Sequence, residues 1–150
     1  MSASLTAAYM GQLVFSTTHS IDTVKTINKI IDLFPPYRHS EIRLQLGETL
    51  KAVISQRLLP TKDKKGLIPA IEVMIITPLI KKLINENNLT EIAQAIVQGG
   101  YYGMQTFNQA LKKLIDEDKV KLEDALAVSP NPEELVLYVK GIKSEDDLTL

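Results

Sequence analysis

A run of hydroxyl and imidazole side chains follows a short apolar segment near the start of the chain. The segment from Leu13 to Phe15 is predicted to form a brief buried strand, and Ser16, Thr17 and His19 come after it. In an open α/β sheet, ligands bind just beyond the carboxyl ends of the strands. Hydroxyl and imidazole groups at that position suit hydrogen bonding to phosphate oxygens. The pattern therefore indicates part of a nucleotide site.

The rest of such a site is missing from the sequence. No Gly-x-x-x-x-Gly-Lys-Ser/Thr phosphate loop occurs in the 150 residues. The absence of cysteine excludes disulfides and thiolate ligands, and the 2 histidines, His19 and His39, are too few for a histidine-rich metal site. We therefore expect no metal site in this chain and only an incomplete nucleotide site.

The composition is that of one compact domain, with 45% hydrophobic and 23% charged residues. The formal net charge is −1 and the lysines are dispersed, so no field attracts nucleic acid or an anionic membrane. The first residues lack the basic region and long apolar run of a signal peptide. We expect a cytoplasmic protein that does not bind nucleic acid.

Residues 1–76 have an α/β pattern. Ser20 and Asp22 can cap a helix that Pro35 and Pro36 end, and a second helix is expected from about Tyr37.

Two strands are predicted after these helices, from Ala52 to Leu59 and from Leu67 to Ile76. A charged turn joins them, so they form a hairpin or lie side by side, with Pro69 at an edge or an end. Glu72 is the single charge in the second strand. It is a paired structural carboxylate, a side chain that faces the edge of the sheet, or part of a functional interface.

Residues 77–150 are predicted to form a helical bundle. Thr77 is placed to be an N-cap, with Pro78 at the first helical position. A later helix is expected to end at a left-handed cap at Gly99-Gly100. Another helix follows Gly103, two shorter helices lie around 121–128 and 132–139, and the acidic end, 144–147, is expected to fray.

Four segments of the chain together carry a family resemblance. They are Gly11 to His19, the helix stop Phe34-Pro35-Pro36, the strand Val53-Ile54-Ser55-Gln56 to Leu59-Pro60, and Gly103 to Phe107 with Ala110-Leu111. In this order they resemble the twitching-motility ATPases of the PilT family, the retraction motors of type IV pili within the secretion ATPase superfamily. The resemblance extends from about Leu5 to Leu135 without large gaps.

The resemblance implies the C-terminal part of a RecA-like P-loop ATPase domain, followed by a helical bundle. Members of the family form hexameric rings at the cytoplasmic face of the inner membrane, beside the pilus platform. They bind ATP and magnesium between subunits and use hydrolysis to disassemble the pilus. The Walker A loop, the Asp box and the Walker B segment would precede residue 1, so this chain alone is expected not to hydrolyse ATP.

The segment from Gly11 to His19 resembles the family's His box, which carries two histidines near the γ-phosphate. The second histidine is present as His19, whereas Gln12 stands in place of the first. Glutamine can hydrogen-bond to a phosphate but cannot become an imidazolium. Without the resemblance, a lone histidine after a buried strand is more often a structural residue with satisfied hydrogen bonds. The resemblance implies that Gln12, Ser16, Thr17 and His19 face the nucleotide, with His19 sensing the nucleotide state.

A second family motif, required for retraction, has the consensus Ala-Ile-Arg-Asn-Leu-Ile-Arg-Glu. Lys81 and Asn85 replace its two arginines, which removes any bidentate contact. Without the resemblance, the helix is an amphipathic helix with a solvated basic face. Its apolar stripe is expected at Leu79, Ile80, Leu83 and Ile84, with Lys81, Lys82 and Asn85 exposed. By resemblance the effector helix comprises Leu79, Ile80, Lys81, Lys82, Leu83, Ile84, Asn85 and Glu86.

Two functional classes remain open. The chain is either part of an ATPase whose catalytic half lies elsewhere or a non-catalytic interaction module descended from one. In both cases we expect self-association, because a partial sheet leaves an unpaired edge and apolar faces, as at Val53 or Val73.

Overall fold

The computed structural model describes residues 2–141. Residues 142–150, which include the acidic end at 144–147, lie outside the described residues. The elements, in chain order, are α1 Ser2–Tyr9, α2 Thr23–Asp32, α3 His39–Thr49, β1 Ala52–Pro60, β2 Leu67–Ile75, α4 Pro78–Asn85, α5 Ile92–Gln98, α6 Phe107–Asp116, α7 Leu122–Val128 and α8 Pro132–Val139, with short 3₁₀ turns at Pro36–Arg38, Leu89–Glu91 and Gly99–Tyr102.

The two predicted strands form an antiparallel hairpin in a register that pairs Ala52 with Ile75 and Pro60 with Leu67. Strand β2 also has a backbone bridge on its outer side, since the Val73 amide donates to the Gln105 carbonyl at 2.9 Å. Pro69 lies four residues from Val73 on the same strand, so its missing N–H also falls on the outer side. The prediction of an edge position for this proline is confirmed.

The predicted strand from Leu13 to Phe15 is wrong. Residues 12–20 have no regular secondary structure, and Leu13 and Phe15 are 78% and 88% exposed. A strand needs neighbouring backbone partners and a covering layer, and in the described part of the chain the β1–β2 hairpin is the one sheet. The apolar pattern has no sheet to join here.

The described residues pack into two hydrophobic clusters that meet on the hairpin. The first contains α1 to α5 and includes Val53 and Met74 of the hairpin. The second contains α6 to α8 and includes Leu59 and Ala70. One end of each strand therefore serves each cluster. The division of the chain into an α/β part, residues 1–76, and a helical part, residues 77–150, stays a prediction.

Local capping signals fix several helix starts as predicted. Asp22 caps α2 by accepting from the Lys25 amide at 2.7 Å, and Thr77 caps α4 by accepting from the Ile80 amide at 3.3 Å. These bonds satisfy amides that a helix N-terminus leaves without partners.

No helix within residues 2–141 is long and apolar enough to cross a bilayer.

The predicted left-handed cap at Gly99-Gly100 is wrong. Gly99 has φ −83° and continues into the turn Gly99–Tyr102, which ends at Gly103 with φ +78°. Gly99 instead allows close approach, since a Cβ there would collide with the Met104 side chain. The left-handed position is therefore Gly103.

Candidate functional site

The polar segment that follows α1 is exposed and extended. Gln12, Ser16, Thr17 and His19 all lie on the surface. The segment starts at Gly11, whose φ of +87° ends α1. There the amides of residues 11 and 12 donate to carbonyls of α1 at 3.0 and 3.1 Å, which is the Schellman arrangement. The glycine therefore sets the direction in which Gln12 leaves the helix.

The far end of the segment is anchored to α2. The Lys29 Nζ donates to the His19 carbonyl oxygen at 2.6 Å, and the hydroxyls of Ser20 and Thr26 lie 2.5 Å apart. These contacts hold the backbone and leave the His19 ring exposed. A surface imidazole on a fixed backbone is free to meet a ligand.

Glu72 has the structural role that sequence reasoning left open. Its side chain is buried, and its Oε1 accepts from the Thr23 amide at 2.8 Å. Thr23 is the first residue of α2, so the carboxylate lies at the positive end of that helix. Glu72 thereby ties strand β2 to the start of the helix that anchors the polar segment.

The predicted effector helix is α4 together with Glu86. Ile80, Leu83 and Ile84 are buried, as predicted. Leu79, expected in the apolar stripe, is instead 50% exposed. Position 79 lies on the outer side of the helix, where the first cluster does not reach it.

Lys81 and Asn85 are only partly exposed, and not fully exposed as expected, because both pack against α3. The Lys81 Nζ lies 2.6 Å from the Glu48 Oε1, and the Asn85 Oδ1 is buried without a hydrogen-bond partner in the described structure. The helices come close at Gly47, where an added Cβ would lie 2.5 Å from that oxygen. A second helix covers this side, which the periodicity of α4 alone does not reveal.

The polar segment and α4 are held by different elements. The segment is bonded to α2, whereas α4 packs on α3 and α5. Helix α1, which leads into the segment, and helix α2, to which the segment is bonded, both contact α3.

The four exposed side chains do not fit a complete ATP–magnesium site. Within residues 2–141 no group of three His, Asp or Glu side chains is placed to hold a metal ion. The hydroxyl, amide and imidazole groups have the chemistry to bond phosphate oxygens. They lack the cradle of backbone N–H groups and the carboxylates that a magnesium-bound triphosphate needs. They fit one side of such a site.

Sequence reasoning missed two polar residues that organise the second cluster. Arg57 of β1 lies over the Phe107 ring, with its guanidinium carbon 4.5 Å from the ring centroid. Asn108 of α6 is fully buried, and its side chain donates to the Asn131 carbonyl at 2.9 Å and accepts from the Ser129 hydroxyl at 2.7 Å. Their partners are distant in sequence and could not be predicted from neighbouring residues. The sequence signal for such a role is a charge, here Arg57, or an amide, here Asn108, on an otherwise apolar face.

Comparison with solved structures shows which known folds the chain is similar to. The chain is similar to the ATPase DotB of Legionella pneumophila, with a TM-score of 0.71 and 20% identity over 85% of this chain and 34% of that chain. At this identity the likeness shows a shared fold and nothing more. No family model matches the sequence.

The PilT proteins are more similar. A crystal structure of the pilus retraction motor PilT with bound ADP matches with a TM-score of 0.79 and 38% identity, over 89% of this chain and 37% of that chain. The type IV pilus retraction ATPase PilT of Pseudomonas aeruginosa is 40% identical over 86% of this chain and 37% of its own length. The twitching motility protein of Neisseria gonorrhoeae is 39% identical over 87% of this chain and 35% of its own length.

The chain is therefore homologous to the PilT-type twitching-motility ATPases and matches their C-terminal part. It spans about a third of the length of the curated relatives that it matches, 35% and 37% for the two named above. The resemblance inferred from the four sequence segments is confirmed.

Proposed function

We propose that this chain is the C-terminal portion of the ATPase core of a type IV pilus retraction motor, which uses ATP hydrolysis to disassemble the pilus in twitching motility. The observation that carries the proposal is the match to PilT, with 38% identity and a TM-score of 0.79 over 89% of the chain. In this proposal the chain forms the C-terminal part of a RecA-like domain. The motor is a hexamer at the cytoplasmic face of the inner membrane, beside the pilus platform.

The polar segment forms one side of the nucleotide site in this proposal. Gln12, Ser16, Thr17 and His19 are exposed on a backbone fixed by Gly11 and by α2. The phosphate loop and the magnesium carboxylates come from another part of the motor. Exposed Leu13 and Phe15 support the need for that part, because both are apolar and neither has a covering layer.

Helix α4 transmits the nucleotide state in this proposal. Its outer side presents Leu79, Lys82 and Glu86 to a moving partner, and these residues are exposed. Its other polar side is attached to α3 through the Lys81–Glu48 ion pair. Lys81 therefore acts through α3 and not as a free surface charge.

The test is nucleotide binding and turnover by the chain alone and after it is joined to the remaining part of a PilT-type ATPase. Calorimetry with ATP and magnesium should give no turnover and at best very weak binding for the isolated chain. The joined protein should bind and hydrolyse ATP. Micromolar binding with steady turnover by the isolated chain contradicts the proposal, as does a folded joined protein that binds no nucleotide.

A second candidate, a non-catalytic interaction module, is favoured by one observation. Ile54, Leu58 and Leu67 are 69%, 53% and 65% exposed on one face of the hairpin. Such a face is suited to a second copy of the chain or to another subunit. The two candidates differ in the joined protein, since only the ATPase portion restores nucleotide turnover.

A further inference from the structure

Three charged side chains from three elements hold the turn between the polar segment and α2. Lys29 of α2 donates to the His19 carbonyl at 2.6 Å. The Glu72 carboxylate of β2 accepts from the Thr23 amide at 2.8 Å. The third side chain is Arg57 of β1, whose Nη2 donates to the Ile21 carbonyl at 3.3 Å. The turn is thus fixed at both ends and in the middle.

Of the three, Arg57 is the one that also reaches the second cluster. Its Nη1 donates to the carbonyl of Val128, the last residue of α7. Its guanidinium carbon lies 4.5 Å from the centroid of the Phe107 ring of α6. One planar group therefore contacts the turn, α6 and α7, although Ile21 and Val128 lie 36 and 71 positions from it in sequence.

The chemistry of the guanidinium explains why a single residue can make these contacts. Its N–H donors project in fixed directions in one plane, while its face stacks on an aromatic ring. The carbonyls at the end of a helix have no intrahelical partners, so the Val128 oxygen is available to accept. A lysine has a point charge on a flexible stem and cannot hold two separated carbonyls and a ring at once.

We propose that Arg57 is a positioning residue that couples the α6–α8 cluster to the His19 segment. A shift of α7 moves the Val128 carbonyl, and the rigid fork of Arg57 passes that shift to Ile21, two residues from His19. This inference deepens the proposed function, because it names the route by which the helical region sets the orientation of the histidine. The coupling itself is a property of this chain and needs no nucleotide.

The first test reads the coupling in the isolated chain by hydrogen exchange at the amides of residues 21–24. Ala125→Gly loosens α7 locally, because Ala125 is fully buried and glycine weakens a helix interior. In the native background this change should speed exchange in the turn. In an Arg57→Lys background the turn should already exchange at least about tenfold faster, the loss expected for a hydrogen bond from a charged donor. Ala125→Gly should then add no further effect there.

Arg38→Lys is the matched control. Arg38 also lies over a phenylalanine ring, with its guanidinium carbon 5.6 Å from the centroid of Phe34, and it bonds Glu41 at 2.9 and 3.0 Å. It contacts neither the turn nor α7, so its replacement should leave the response of the turn to Ala125→Gly intact. The coupling is overturned if Ala125→Gly changes amide exchange in the turn equally in the native and Arg57→Lys backgrounds. It is also overturned if Ala125→Gly does not change amide exchange in the turn of the native chain.

A measurement without mutation keeps the proposal testable if Arg57→Lys does not fold. In nuclear magnetic resonance spectra of the native chain, the stacked guanidinium should show ring-current-shifted side-chain signals and separate, slowly exchanging Nη groups. A freely rotating Arg57 side chain contradicts the proposal. Failure of the joined protein to turn over ATP would remove the proposed function and leave these outcomes unchanged.

Discussion

Gly47 of α3 lies directly against the Asn85 side chain of α4. A Cβ at position 47 would lie 2.5 Å from the Asn85 Oδ1, which is buried without a hydrogen-bond partner in the described structure. The glycine therefore makes room for the amide. This contact places one side of the proposed effector helix against α3.

The contact predicts that the effect of Gly47→Ala depends on residue 85. Alanine in a helix interior is more favourable than glycine by about 0.5–1 kcal/mol. In the native chain the clash with Asn85 should offset or exceed that gain, whereas in an Asn85→Ala background the gain should appear in full. Urea unfolding of the four proteins measures the difference. Gly47→Ala with the same effect in both backgrounds would show that the helices do not meet there.

Glu72→Ala should destabilise the protein, because the carboxylate accepts a buried hydrogen bond from the first amide of α2. The expected loss is about 1.5–3 kcal/mol, the range for hydrogen bonds to charged groups. Glu133→Ala, an exposed carboxylate in the first turn of α8, is the control and should change stability by less than about 0.5 kcal/mol. Thermal or urea unfolding distinguishes the two. Similar small losses would contradict the structural role of Glu72.

Two substitutions in α4 separate packing from coupling. Leu83→Ala removes a buried side chain and should cost about 2–5 kcal/mol. Lys81→Ala removes a partly exposed ion pair with Glu48 and should cost less than about 1 kcal/mol. In a reassembled motor, Lys81→Ala should nevertheless impair retraction while nucleotide binding persists. Equal destabilisation by both changes would make Lys81 structural and remove α4 as the effector.

The exposed apolar side chains predict self-association. Val53 and Val73 do not supply the expected surface, because Val53 is buried and Val73 pairs with Gln105. Leu13 and Phe15 of the polar segment and Ile54 and Leu58 of β1 are instead all more than half exposed. Surfaces of this kind tend to be covered by another chain. Light scattering should show a dimer or a larger assembly that Phe15→Ser and Leu58→Lys weaken. A clean monomer of the native chain across a wide concentration range contradicts this expectation.

Features set by neighbouring residues could be predicted from the sequence. The caps at Asp22 and Thr77 and the hairpin turn each depend on a few adjacent side chains. Whether a segment is buried depends instead on the other elements that pack against it. The segment from Leu13 to Phe15 therefore reads as a buried strand, yet within residues 2–141 it has no sheet to join.

The candidate site shows the same limit. Gln12 and His19 are polar residues at the two ends of one segment, so their exposure can be predicted from that segment alone. The residues that anchor the segment cannot be predicted in this way. Arg57 meets Ile21 across 36 positions, and Glu72 meets Thr23 across 49. The periodicity of α4 predicts that Lys81 is exposed. This prediction misses the contact with Glu48, because the pattern of one helix cannot reveal a second helix beside it. Contacts of this range require the fold.

The proposed function makes this chain the C-terminal portion of a PilT-type ATPase core. Its most direct test replaces the matching region of the Pseudomonas aeruginosa PilT, which is 40% identical, with this chain and measures ATP hydrolysis. The chimera should hydrolyse ATP. His19→Ala should lower turnover by about tenfold or more, as expected for loss of a hydrogen bond to a charged phosphate, while His39→Gln, at the other histidine, should leave it unchanged. The proposed function would be contradicted by a chimera that folds and assembles but hydrolyses no ATP. It would also be contradicted if His19→Ala and His39→Gln changed ATP turnover equally.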